Sequence, residues 1–368
     1  MKERLMRVVM FDDSVPFDGF TALNKPLGGA EKAFASLATA LAKAGHSVTA
    51  VNRCKYAILA DNVKWRSLND DYPSEADLLI AFRNPELLSN VRRVDTRILW
   101  VSDEPGYLGS HKNAEILASL APRLLFLSDR QAKAYGGRLS AVVAPSGVNK
   151  VFCSSEEKDG FYNDSNHQDI SMDGLEGEGK EEKAPAPNVV FTTHPLNGLE
   201  RMIDLWNKYI QPARKEAKLT IFSSILAKGM EDSPVDKAIQ SLIAKICNSE
   251  GSNIKVENPK GDRVMADHYS SSRLHWYPGH KRDFACWTLR ESQAAGLPAI
   301  AYNLGGTEDI IEDSLTGFLP PDEEAFINVT KKLLLDDQLY MTMHKQALSS
   351  ERRIPWSKTA DIVAQLWL

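Results

Sequence analysis

Two carboxylates, Asp283 and Glu291, stand eight residues apart in the stretch DFACWTLRESQAAGLPAIAY. The stretch reads as a short helix, Ala285 to Ala295, ended by Gly296 as a C-cap, with Pro298 preventing its resumption. PAIAY then follows as an apolar strand. Asp283 is thereby placed at the helix N-terminus and Glu291 two turns further in. A rise of about 1.5 Å per residue sets them roughly 12 Å apart along the axis. Paired carboxylates that share one reacting atom in glycoside hydrolysis stand roughly 5–5.5 Å apart when retaining and about 6.5–9.5 Å when inverting. These two acids are too distant for that. They suit the two ends of an elongated ligand, and the amides of the helical turn between them suit a diphosphate.

A second candidate lies in PLGGAEKAFASLATALAKAGHSV, where Gly28 and Gly29 open a helix that Gly45 ends. Glycine lets the backbone approach a ligand, and exposed amides with the helix dipole favour an anion. The pattern is not G-x-G-x-x-G, and VNRCKY after the second strand lacks the acid that would bind a nicotinamide cofactor's ribose. Two carboxylates gripping hydroxyls, with amides between them, describe a site for a nucleotide-sugar. The plain structural alternatives stand beside this reading: Asp283 as an N-cap, Glu291 as a salt-bridged helix acid, the Gly pair as a mere turn.

The elements that must carry these groups fall into two halves. RVVMFDD, DLLIAF, RILWVSD, RLLFLSD and LSAVVAPSGV are unbroken apolar runs separated by helical stretches. Such runs indicate a parallel sheet covered on both faces, a doubly wound α/β domain over residues 1–152. Residues 153–187 form an acidic insertion or linker. From Ser154 to Pro187 there are ten Asp or Glu and three Lys, a net −7, which leaves about +2 for the rest of a chain of net −5. Few large apolar side chains and an APAP end predict disorder there. The pattern restarts with NVVFTTHP, KLTIFSS, NIKVEN, RLHWYP and PAIAY, a second doubly wound domain over 188–350. Residues 351–368 hold an amphipathic C-terminal helix able to close over a neighbour.

With 368 residues, 43% of them hydrophobic, the chain is long enough for two cores. A net charge of −5 gives no global basic field for nucleic acid. The N-terminus MKERLMRVVMFDD is too polar for a signal peptide, and no apolar stretch reaches membrane-spanning length. Cys54, Cys153, Cys247 and Cys286 lack ligand spacing, so no metal site or disulfide framework is expected and a reducing cytoplasm is the simplest setting. His46, His111 and His268 read as structural or surface groups, and His275 as an outward residue of its strand. His280, just before Asp283, reads as a donor-side group, and Arg83, after a strand, as one that reaches the cleft.

The sequence resembles glycosyltransferase family 4, the retaining nucleotide-sugar transferases of GT-B fold. Its signature, E-x7-E then x-x-A-x-G-x-P, is matched by Asp283-x7-Glu291-SQAAGLP. PLGGAE…LAKAGHSV, PSGVNKVF, HPLNGLERMIDLW and NLGGTEDIIEDSLTGFL resemble four further family motifs in the same order. The resemblance implies two Rossmann-like domains facing across a cleft, the first for the acceptor and the second for the nucleotide-sugar donor. The last helix would cross back toward the first domain. Asp283 would contact hydroxyls of the transferred sugar and Glu291 the ribose. Amides near Phe284 and Ala285, with those of Gly28 and Gly29, would approach the phosphates, and Gly305 and Gly306 would let a loop pass beside the site.

The resemblance also implies that no metal or further cofactor is needed, because helix N-termini and basic side chains neutralise the leaving diphosphate. The acceptor would be a glycan, a lipid-linked or a small molecule, and peripheral membrane association is compatible with such enzymes. The sequence departs from the family at three places: Asp283 is one methylene short, Asn197 with His194 stands where a basic residue is usual, and Ser102-Asp103 replaces a His-Asp pair. Lys281, Arg282 or His194 would then supply positive charge, and Asp103 an acceptor-side carboxylate. A binding protein without turnover, a nucleotide-sugar epimerase and a nicotinamide oxidoreductase are the rival readings.

Overall fold

A computed structural model of the chain describes residues 5–153 and 183–367, except 232, 250 and 350. Most of the acidic stretch, residues 154–182, for which disorder is expected, lies outside the described residues. The first domain carries β1 (Arg7–Phe11), β2 (Ser47–Asn52), β3 (Ile58–Ala60), β4 (Val63–Ser67), β5 (Glu75–Phe82), β6 (Arg93–Trp100), β7 (Arg123–Phe126) and β8 (Ala141–Val143). They form one sheet in the order β3-β4-β2-β1-β5-β6-β7-β8. All neighbours are parallel except the β3–β4 hairpin. Alternation along β1 feeds two cores. Val8 and Met10 join Phe34, Leu37, Trp65, Phe82 and Trp100 on one face. Val9 and Phe11 join Leu79, Leu99 and Phe126 on the other.

The β3–β4 hairpin escapes the apolar-run reading because its strands are short and half-exposed. Its signal is the pair Asp61–Asn62, both at positive φ (49° and 63°). Two consecutive left-handed residues make the two-residue turn that suits twisted antiparallel strands, and Asn and Asp tolerate it best.

The second domain carries β9 (Asn188–Phe191), β10 (Lys218–Phe222), β11 (Ile254–Glu257), β12 (Leu274–Trp276), β13 (Ala299–Ile300) and β14 (Gly317–Phe318). Its sheet runs β11-β10-β9-β12-β13-β14, all parallel. The order reverses between β9 and β12, as it does between β1 and β5 in the first sheet. Crevices at the C-terminal ends of strands beside such a reversal are where open α/β sheets bind ligands.

The helix Trp356–Gln365 belongs in sequence to the second half but packs on the first domain. Trp356, Ala360 and Val363 enter that core, and the Trp356 ring lies 6.3 Å from Trp100. Val148 N donates to Ile354 O at 2.8 Å and Thr359 Oγ1 to Pro145 O at 2.8 Å. Gly147 is required at this crossing: a Cβ there would sit 2.6 Å from the Trp356 Cα. Trp356→Ala is expected to cost about 3–5 kcal/mol of stability. Urea denaturation checks this, and a loss under about 1 kcal/mol would mean that the helix does not clamp the first domain.

Candidate active site

At the C-terminal ends of β1 and β5 stand Asp12 and Arg83. Asp12 is fully buried and accepts from Ser14 N at 2.8 Å. Arg83, left-handed at φ 64°, donates from Nη2 to Asp12 Oδ2 at 2.8 Å and to Glu31 Oε1 at 2.9 Å, and its guanidinium lies 4.6 Å over the Phe82 ring. Its carbonyl accepts from the Tyr107 hydroxyl at 2.7 Å. The Glu31 carboxylate lies over Gly28, where a Cβ would approach Oε2 to 2.1 Å. Asp103 follows β6, with Ser102 Oγ 3.3 Å from its Oδ2. Burial raises the Asp103 pKa; Arg83 and Ser102 oppose this, while Asp283 of the other domain and Glu31 add to it.

The helix bearing Glu291 starts at Trp287, two residues later than the apolar pattern predicts, and runs to Ala294. Cys286 precedes it in a left-handed conformation, φ 45°, so residues 283–286 form a turn and Asp283 stands outside the helix. The axial separation of the two acids inferred from continuous helix does not apply. Asp283 caps this turn: Oδ1 accepts from Cys286 N at 2.9 Å and Oδ2 from the Tyr277 hydroxyl at 2.5 Å. The turn rests on the loop at 305–306, where Gly306 N donates to Asp283 O at 2.9 Å. A Cβ on Gly305 or on Gly306 would lie 2.1 Å from the carbonyl oxygen of Asp283 or of Phe284, so the two backbones touch only because both residues are glycine.

His275 does not face outward. It is fully buried, because β12 is a central strand covered on both faces. Its Nδ1 lies 2.7 Å from Ser292 Oγ and its Nε2 2.9 Å from Thr192 Oγ1, which is 2.7 Å from Thr288 Oγ1. Burial pulls the His275 pKa down to about 3 and leaves the ring neutral. This chain of polar groups ties β9 and β12 to the first turn of the Trp287 helix, whose leading amides have no intrahelical partner. From the other domain, the Gly29 helix (Gly29–Lys43) meets the same spot: a Cβ on Gly29 would lie 2.2 Å from the Trp287 Cβ.

Glu291 is nearly buried and pairs with Lys32 of the first domain, which also bonds Asp262 Oδ1 at 3.0 Å. One ammonium between two buried carboxylates leaves an excess negative charge. Burial pushes Glu291 up to about 7; Lys32 opposes this and Asp262 adds to it. Burial alone would lower the Lys32 pKa, but Glu291 and Asp262 outweigh it and hold the ammonium protonated. A second tie crosses the seam where Arg130 pairs with Glu308 and donates to Asn303 Oδ1 and Gly305 O, both at 3.0 Å.

The structure thus gathers Gly28, Gly29, Asp103, Asp283, Phe284, Ala285, Glu291, Gly305 and Gly306 along one seam. His280 is half-buried beside it, with Nδ1 accepting from Arg282 N at 3.3 Å. Lys281 and Arg282 are exposed. His194 is exposed and accepts from Leu196 N at 3.3 Å, a local turn, and Asn197 is half-buried. The sequence reading passes over Asp12, Glu31, Lys32 and Asp262, and takes Tyr277 for a core or wall residue, whereas its hydroxyl holds Asp283. A signal for Glu31 was available, since it follows the Gly pair after a single alanine in the first turn of the helix.

Residues 192–349 match the family model of glycosyl transferases, group 1. A D-inositol 3-phosphate glycosyltransferase of Saccharomonospora viridis is 24% identical over 111 residues, 30% of this chain and 26% of that protein. Its namesake in Nocardiopsis dassonvillei is 22% identical over 287 residues, 74% of this chain and 62% of that protein. The chain spans about a quarter of the length of the former (26%). Sucrose-phosphate synthase of Thermosynechococcus elongatus superposes with a TM-score of 0.71 at 15% identity, over 99% of this chain and 98% of that one. Anabaena HepE, solved with UDP and glucose, superposes at 0.68 and 15%, over 98% and 99%. The fold is GT-B, the class expected from the sequence.

Titration of the buried acid gives a test. Glu291 binds its proton more tightly folded (about 7) than at its ordinary 4.5, so its contribution to stability falls as pH rises from 4.5 to 7. His275, neutral when folded, contributes the opposite slope between about 3 and 6.5. The stability of the wild type relative to Glu291→Gln is therefore expected to decline from pH 4.5 to 7 and then level off. Thermal melts of both proteins across that range check it, and a constant difference contradicts the assignment.

Proposed function

We propose that the protein is a retaining, metal-independent glycosyltransferase of family 4 that moves a sugar from a nucleotide-diphosphate donor to an acceptor hydroxyl. The observation that carries this reading is the meeting of two helix N-termini from opposite domains, where the Gly29 backbone lies against the Trp287 side chain, next to the turn that bears Asp283. Three things support it: the match of the second domain to group 1 glycosyltransferases, the fold shared with a protein solved with UDP and glucose, and the D-x7-E spacing.

The donor diphosphate would lie where the Gly29 and Trp287 helices converge, since both dipoles present positive ends there. Lys281 and Arg282, on the loop ahead of Asp283, add mobile positive charge in place of a basic residue at Asn197. Asp283, held by Tyr277 and the Cys286 amide, keeps lone pairs for hydroxyls of the transferred sugar. Asp103 accepts from the attacking hydroxyl and orients it. The bond from the anomeric carbon to the diphosphate oxygen breaks with its electron pair. The acceptor oxygen bonds the same face of that carbon, and its proton passes to the departing phosphate. Positive potential fixed before the reaction lowers the barrier without reorganisation.

One observation favours a second reading, a binding protein without turnover: both signature acids already have structural duties, Asp283 as a turn cap and Glu291 as an ion-pair partner. A nucleoside diphosphate at a hundredfold its Kd is expected to stabilise the protein by about 2.7 kcal/mol in thermal shift. With the donor so identified, Asp283→Asn is expected to abolish transfer to candidate acceptors and to retain nucleotide binding. No stabilisation by UDP, GDP or ADP contradicts the donor site; binding without any turnover in the wild type favours the second reading.

A further inference from the structure

We propose that Lys32, carried by the first domain, is a positioning residue of the second domain's donor site, setting the Glu291 carboxylate in place only when the domains meet. The proposal rests on the glycosyltransferase reading above, in which Glu291 holds the donor's ribose. Lys32, Glu291 and Asp262 have side chains only 9%, 11% and 2% exposed, although the ammonium and the two carboxylates come from opposite sides of the seam. None of the three tolerates burial alone. Two adjacent carboxylates shut away from water without a cation are costly, and so is an ammonium without an anion. With the domains apart, all three are free to hydrate. The buried arrangement therefore exists only in the closed state.

The geometry makes Lys32 a gauge of that state. It lies one turn into the helix whose N-terminus abuts Trp287, so its Nζ and the Gly28–Gly29 backbone move as one piece. Asp262 is braced from the first domain as well: Asn149 Nδ2 lies 3.4 Å from its Oδ2, and Ser36 Oγ 2.8 Å from Asn149 Oδ1. Lys32 engages Glu291 through Oε1. Among the described residues no donor is placed on Oε2, which leaves that oxygen to ligand hydroxyls. The crevice bordered by Gly29, Lys32, Trp287 and Glu291 is too narrow for a nucleotide, so a donor enters with the seam parted and Lys32 sets the acid as it closes.

The test compares wild type, K32M and K32R, with folding checked by urea denaturation. Losing a charged hydrogen bond on the donor acid is expected to raise the donor KM about 10- to 100-fold, with a smaller change in kcat. K32R, which keeps the charge, is expected to restore KM to within about threefold. Small-angle scattering of the nucleotide-free proteins is expected to show K32M more extended than wild type and K32R. Should K32M fail to fold, K32Q combined with D262N, which removes one charge from each side, is expected to show the same rise in KM. A K32M protein with unchanged KM and unchanged dimensions overturns the proposal. If wild type binds no nucleoside diphosphate, the donor reading fails; if wild type binds it and K32M binds it equally well, only the role of Lys32 fails.

Discussion

One ammonium, buried between two carboxylates of a different domain, sets how the halves of this protein meet. The triple is unbalanced by one negative charge, and that imbalance has consequences. A neutral hydrophobic seam of the same size would be as stable or more so, since desolvation offsets most of what a buried ion pair gains. What charge adds is a demand for register: the carboxylates must find the ammonium within hydrogen-bond distance, and a slide of a few ångströms leaves three ions dry and unpaired. Arg130 with Glu308, a pair about a third exposed, adds a weaker, solvated tie along the same seam. The two ties, one buried and one solvated, restrain how far the domains slide along the seam.

Between those points glycines let the two sides approach closely. Gly29 lies against the Trp287 side chain, Gly261 against the Leu23 carbonyl, and Gly147 against the Trp356 backbone. At each, a single Cβ would intrude to 2.6 Å or closer. The crossing helix at Trp356 adds a covalent restraint, since the chain must return to the first domain to bury its apolar face. The seam thus combines close contacts with ion pairs, and the loop bearing Gly305 and Gly306 packs against the turn at 283–286, where Phe284, Ala285 and Cys286 are buried and Asp283 is half-buried.

Much of this was legible from residues. Unbroken apolar runs give the two parallel sheets, because a strand covered on both faces has no use for alternation. The glycines of PLGGAE, PSGV and NLGG each mark a close backbone approach, and the D-x7-E spacing brings both acids to the seam. Other features were illegible for identifiable reasons. Cys286 adopts a left-handed conformation that its residue type does not advertise, so the helix start slipped by two residues and Asp283 was placed in a turn that it does not share with the helix. His275 alternates correctly along its strand, yet neither face of that strand meets solvent. Lys32 reads as an ordinary polar residue of a helix, since its partners lie 230 and 259 positions further on. Long-range charge pairing leaves no local periodic trace.

The cleft's charge distribution constrains what each side can hold. Asp12 and Glu31 pair with the Arg83 guanidinium, and Asp103 stands between the influence of that cation and of the acids Asp283 and Glu31. That balance is hostile to a second anion and favourable to hydroxyls, each of which can donate to a carboxylate. The positive ends of two helices converge a short way off, at Gly29 and Trp287. On the proposed function, an ionic donor and a hydroxyl-rich acceptor would thereby be separated by electrostatics before any shape is considered. Raised proton affinity at Asp103 follows from the same crowding: burial disfavours its charge and two neighbouring acids add to that. A carboxylate so placed is a better acceptor for a hydroxyl proton than one in water, because its charge is poorly solvated. Hydroxyl groups placed between these acids would ease that crowding by donating to them, as Arg83 does for Asp12 and Glu31.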